Sequence, residues 1–274
     1  MLGKLLKYEV RDTSGIIPLF YLITAVLSVL SLFAGKLELG WFKTTSSVLL
    51  LLAAIAVVIV TMVILIIRFY KNLYSNEGYL SFTLPLKPHL HLISKTIAAF
   101  VWMVLSLLVC LGAIFVSLKG FGVDREVWSS AIEEVQRYGM EKYIFAFIPI
   151  ICFSILYLLA QMFFSITLAN RPAFHNMNAA GASILLFLAT YVGLKIVESI
   201  LSIIIPFSLS IKVVGDFGIS FTSKNMVAYL MQSINNPNPP NVIVGLGGSI
   251  FQVIMVCVLF YMTGRMMDKK VSLR

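Results

Sequence analysis

Residues 48–67 form a block of 20 positions without a single charged side chain. Apolar blocks of similar length recur at about 16–34, 94–117, 144–168, 182–205 and 242–263, each interrupted by no more than two charges. At helical rise, about 20 residues span the roughly 30 Å of a bilayer's hydrocarbon core. Lipid offers no partner to an unpaired backbone group, so each block must satisfy its own amides as a helix. The expected fold class is all-α: a polytopic membrane protein with six transmembrane helices forming one domain over residues 1–274. Pro18 and Pro149 are expected in the first turns of their spans, where a missing N–H costs little.

Composition agrees. The chain is 59% hydrophobic and 12% charged, against about 25% charged residues in soluble domains. Its net charge of +9 is not gathered on one soluble patch, so no nucleic-acid partner is expected. The first block is too long for a signal-peptide core, and Leu32-Phe33-Ala34 is a poor cleavage site, so it is expected to stay as a span. Cys110, Cys152 and Cys257 each fall inside an apolar block, which suggests neither a disulfide framework nor a metal site.

Before the first span, Leu2, Leu6 and Val10 form one stripe and Lys4, Lys7 and Arg11 another. That pattern predicts an interfacial helix over 1–14, lying in the headgroup plane. Connections on the side of the termini carry 12 Lys and Arg against four acids; those on the other side carry eight against seven. The positive-inside rule therefore places both termini in the cytoplasm. Two outer loops are long. In 119–142, Asp124 can cap a helix with an apolar face of Trp128, Ile132 and Val135. The loop 206–241 opens at Pro206 and closes on Asn235 to Pro240, a breaker-rich stretch. Its apolar residues between Ile211 and Phe221 are expected at the membrane interface, and 223–232 could make two or three helical turns.

Signatures of chemistry are missing. The sequence has no GxxxxGK[ST] phosphate loop, no GxSxG and no HExxH. His89, His91 and His175 lie in connections without further ligands. No catalytic residue, metal or cofactor is expected on this chain. Two charged residues stand inside the fifth span: Lys195 and Glu198, three apart and so on one helical face. They read either as the polar lining of a translocation path or subunit interface, or as side chains snorkelling to the outer surface. The pairs Ala179/Ser183 and Gly245/Ser249 have the small-xxx-small spacing of close helix contacts, within one subunit or between two.

The first inner connection is the most informative: RFYKNLYSNEGYLSFTLPLKPHLHLISKT, residues 68–96. Span two should continue outward through Arg68, Lys71 and Tyr74, and Pro88 should begin the helix of span three. Between them, Ser75 or Asn76 can cap a short surface helix that Pro85 ends. Its Tyr79, Leu80, Phe82 and Leu84 are too apolar for an idle solvent loop and suggest a protein partner.

This run resembles the first cytoplasmic loop of type 2 ABC transporter permeases from Gram-positive bacteria. Glu77, Gly78, Tyr79, Leu80, Phe82, Thr83, Leu84 and Pro85 correspond to the family's EGYL-x-FTLP stretch, and Ser94-Lys95 to the pair entering its third span. The resemblance is strong over about 30 residues. It implies a half-transporter membrane subunit in a bacterial cell membrane, paired as a homo- or heterodimer with a second permease. Residues 76–85 would be a coupling helix docked on a separate ATP-binding cassette subunit, which would hold the ATP and Mg. The competing reading is a non-transporting multi-pass protein, such as a peptide immunity or sensory component. The nature of any substrate does not follow from the residues.

Overall fold

The computed structural model describes residues 2–36, 40–75, 88–123, 125–137, 141–174, 178–212, 218–223, 226–227, 229, 231 and 241–269. They form two compact units, residues 1–130 and 131–270. Eight α-helices run through the described residues: α1 Leu2–Thr13, α2 Ile17–Lys36, α3 Gly40–Tyr74, α4 Pro88–Gly120, α5 Arg125–Arg137, α6 Glu141–Ala169, α7 Ala179–Ile204 and α8 Gly247–Lys269. Six of them, all but α1 and α5, are long and apolar enough to cross a membrane. The chain is an all-α polytopic membrane protein, as the block pattern predicts.

In the first unit, α2, α3 and α4 pack on one another and α1 packs on α4. Helices in lipid associate through close packing and interhelical hydrogen bonds rather than apolar burial, and this bundle shows both. Near the start of α3 and the end of α4, Ser31 and Ser47 approach through their hydroxyls at 3.4 Å, and Ser117 donates to the Ser47 carbonyl at 2.8 Å. A Cβ on Gly120 would collide with the Ser47 hydroxyl. Further along, Leu50, Ala54, Cys110 and Ala113 make a buried seam. Midway, Ser106 donates to Thr61 and lies 2.7 Å from the Tyr21 hydroxyl, joining all three helices. Helix α4 ends in a Schellman turn: Val123 N–H reaches the Leu118 carbonyl and Gly122 N–H that of Lys119. Gly122 takes the required positive φ of 87°. On α5, Trp128 packs against Phe115 with ring centroids 5.0 Å apart, whereas Ile132 is exposed.

In the second unit, α6, α7 and α8 pack on one another. Tyr157, Ala160 and Phe164 of α6 meet Val256, Leu259 and Met266 of α8. Asn178 caps α7 through the Ala180 N–H, and Pro206 ends the helix because its ring cannot continue one. A three-stranded antiparallel sheet of order β2-β1-β3 then joins α7 to α8: β1 Ser208–Lys212, β2 Gly218–Thr222 and β3 Asn241–Gly245. Leu209 pairs with Phe221 on one side and with Val244 on the other; Ile211 pairs with Ile219 and Val242. Open sheet edges are not tolerated in hydrocarbon, so the sheet lies at or beyond the headgroup level.

Three expectations change. Pro149 lies in the interior of α6, because that helix begins at Glu141 rather than close to the proline. Residues 242–245, expected in the last span, are strand, and the span starts at Gly247. The connection 206–241 contains regular β-structure where interfacial irregular chain was expected.

Candidate functional site

The segment Glu77 to Pro85, with Gly78, Tyr79, Leu80, Phe82, Thr83 and Leu84, lies outside the described residues, but both of its stems are described. Helix α3 runs on through Arg68, Lys71 and Tyr74, and α4 begins at Pro88, as predicted. Residues 44–67 of α3 and 96–118 of α4 carry no charge. Those stretches are about 36 and 34 Å long, so the hydrocarbon ends near Arg68 and Lys95. The remaining turns of both helices stand outside it.

These outer turns rest on a buried base. Phe69, Leu73, Tyr74, His91, Leu92 and Ser94 are all more than nine-tenths buried. Phe69 and Tyr74 make a tilted ring contact at 6.2 Å, and Ser94 donates to the His91 carbonyl at 3.0 Å.

Helix α1 is pinned to the same base. Lys95 Nζ lies 2.5 Å from Glu9 Oε1, with the lysine 6% and the glutamate 18% exposed. Arg68 pairs with the Asp12 carboxylate at 3.2 Å and also donates to the Asp12 carbonyl. Trp102 Nε1 donates to the Thr13 hydroxyl at 2.7 Å; that hydroxyl in turn donates to the Glu9 carbonyl. The inward side of α1 is therefore Leu5, Leu6, Glu9 and Thr13, while Val10 of the expected apolar stripe is exposed. Glu9 and Asp12 were legible only as the two acids of a basic helix; their partners lie 86 and 56 residues away.

Comparison with protein-family models, with curated proteins and with solved structures finds no match for this chain.

The second polar cluster belongs to the other unit. Lys195 Nζ donates to Glu198 Oε2 at 2.8 Å, and Gln252 of α8 donates to Glu198 Oε1 at 2.7 Å. Lys195 also sits 5.9 Å from the Tyr157 ring centroid. Exposed apolar residues surround the pair along α7: Val192 before it, Ile196 within it, and Ile200 and Ile204 after it. The ion pair is thus set within an apolar surface rather than at its end. One α6 face carries Tyr157, Gln161 and Ser165; Tyr157 and Ser165 both reach α7, the latter through Thr190 at 3.0 Å. Gln161, between them, is 1% exposed, and among the described residues its amide makes no hydrogen bond of good geometry, the Tyr157 hydroxyl being its polar neighbour.

Glycines bring α8 this close. A Cβ on Gly245 would strike the Ser202 carbonyl, one on Gly247 the Leu201 carbonyl, and one on Gly248 would lie 3.0 Å from Glu198 Cγ. The second small-residue cluster is therefore a contact within the chain. Gln252 was missed by sequence reasoning, although a lone amide in an apolar span is the usual sign of such a partner. Among the described residues, no three His, Cys, Asp or Glu side chains gather as a metal ion would need.

Proposed function

We propose that this chain is the membrane-spanning permease subunit of an ATP-driven ABC transporter. It works as an exporter in a bacterial cell membrane, with both termini cytoplasmic. The observation that carries the reading is the construction around residues 76–87. Two long helices end on either side of that segment, at Tyr74 and Pro88, and their turns nearest it share one buried base braced by α1 through two ion pairs. Rigid-body gating needs a contact that moves the helices rather than bending the loop. A braced base supplies it, and the resemblance of 68–96 to the family's coupling loop points the same way. Tyr79 and Phe82 are the aromatic anchors that would fill a groove on the ATP-binding subunit. ATP and Mg belong to that subunit, and a second permease copy or homologue completes the pathway. Lys195, Glu198 and Gln252 form the polar group placed to meet a polar or amphipathic cargo.

The test is co-expression with an ATP-binding cassette subunit, sought as a GxxxxGK[ST]-bearing reading frame near that of this chain. The two should co-purify, and the complex should hydrolyse ATP faster than the ATP-binding subunit alone. Tyr79→Asp with Phe82→Asp should abolish both effects. Intact docking and intact ATP-coupled transport in that double variant would sink the coupling role.

A further inference from the structure

A cavity of about 320 Å³ opens between the start of α2 and the last turns of α3. Its apolar wall is Ile16, Ile64 and Ile67; Arg68, Lys71 and Asp12 stand at its polar end. The order of these residues along α3 is telling. Ile64 and Ile67 close the charge-free run of the helix, and Arg68 and Lys71 follow at once. The cavity therefore straddles the depth at which hydrocarbon gives way to headgroups. Arg68 is held in place by the carboxylate and carbonyl of Asp12, with 22% of its side chain exposed, while Lys71 is exposed. Arg68 and Lys71 outnumber Asp12, so the polar end is net positive. Helix α1 adds to this potential. Its acids Glu9 and Asp12 are taken up by Lys95 and Arg68, leaving Lys4, Lys7 and Arg11 exposed.

We propose that this cavity binds an anionic phospholipid, its phosphate between Arg68 and Lys71 and an acyl chain against the isoleucines. A phosphate accepts charge-assisted hydrogen bonds from both cations. The isoleucine wall distinguishes a lipid from a free anion, which would gain nothing from apolar surface. A zwitterionic lipid brings the same phosphate without the net charge, so it binds more weakly. The proposal depends on the chain lying in a bilayer and on nothing about transport. Because the cavity wall is the α3 stem below residues 76–87, a lipid seated there also steadies that stem.

The experiment uses the full chain in nanodiscs of equal phosphatidylglycerol and phosphatidylcholine, with retained lipids counted by native mass spectrometry. The wild type should keep phosphatidylglycerol in preference. A basic residue near a membrane surface contributes about a fivefold change in affinity for anionic lipid. Lys71→Gln should thus lower retention about fivefold and Lys71→Glu about thirtyfold, while Asp12→Asn should raise it. Lys212→Gln, an exposed base on β1, should change nothing. Equal retention of the two lipids, wild-type behaviour of Lys71→Glu, or a loss of equal size in Lys212→Gln would each overturn the proposal. So would displacement of the lipid by millimolar inorganic phosphate, which would make this an anion site with no part for the acyl chain. Lys71 is exposed, so its variants test binding without disturbing the fold.

Discussion

The two units each carry an acid–base pair, and the pairs are built in opposite ways. Glu9 and Lys95 lie 86 residues apart on different helices, the lysine buried and the glutamate mostly covered, and hold α1 against α4. Lys195 and Glu198 sit one turn apart on a single helix; the glutamate is as covered as Glu9, at 18% exposed, but 40% of the lysine side chain is exposed, and that bond joins no two elements. Among the described residues, the Gln252 amide ties Glu198 to another helix. A buried pair between elements is part of the scaffold, because removing one partner strands a charge. A pair within one helix whose lysine is largely exposed, and whose acid keeps a second donor in Gln252, can be opened without separating two elements. The contrast assigns the first pair to structure; on the proposed function, the second is the pair that meets cargo.

The comparison breaks first at Lys95. Lys95→Met leaves the Glu9 carboxylate buried without its partner and should cost about 3 kcal/mol, read as a lower unfolding temperature in detergent. Adding Glu9→Gln should restore most of that loss. A Lys95→Met protein as stable as wild type would remove the scaffold role. Next comes Gly245→Ala. Its methyl would meet the Ser202 carbonyl and should cost about 2 kcal/mol. Cysteines placed at Glu198 and Gln252 should then cross-link more slowly than in the parent chain. Trp102→Phe removes the bond to Thr13 and should cost about 1 kcal/mol, with protease cleavage within α1 as the sensitive readout. The smallest effect belongs to Lys195→Met, within about 1 kcal/mol. If the pair meets cargo, that same variant should shift substrate-stimulated ATP hydrolysis; a loss as large as that of Lys95→Met would erase the contrast.

The membrane helices were legible because hydrocarbon imposes a length and a composition that few other environments demand. The continuation of α3 to Tyr74 and the start of α4 at Pro88 were legible too, from charge placement and proline chemistry. What escaped was long-range or easily mistaken. Nothing local marks Glu9 as the partner of Lys95, since an ion pair across 86 residues leaves no periodicity. The strands left a signal that hydropathy overrode: Ser-Leu-Ser-Ile-Lys and Gly-Ile-Ser-Phe-Thr both alternate. In β1 the serines turn inward, Ser208 and Ser210 being buried, while in β2 Phe221 is 70% exposed. A chain with apolar residues on its exposed face reads as interfacial until its pairing is seen. Pro149 was misplaced because the polar start of α6, Glu141-Lys142-Tyr143, does not belong to the apolar block that defined the span.

The sheet order β2-β1-β3 also has a consequence for how the protein is made. Strand β1 is central, yet one neighbour follows it closely while the other is separated from it by residues 213–240. On the outer side where the topology puts this connection, the β1–β2 hairpin can close as soon as its residues have crossed the membrane, whereas the second edge of β1 stays open until β3 arrives. Only Leu246 separates β3 from α8, and its N–H bonds to the Phe207 carbonyl beside β1. Docking of β3 thus fixes where α8 starts beside α7.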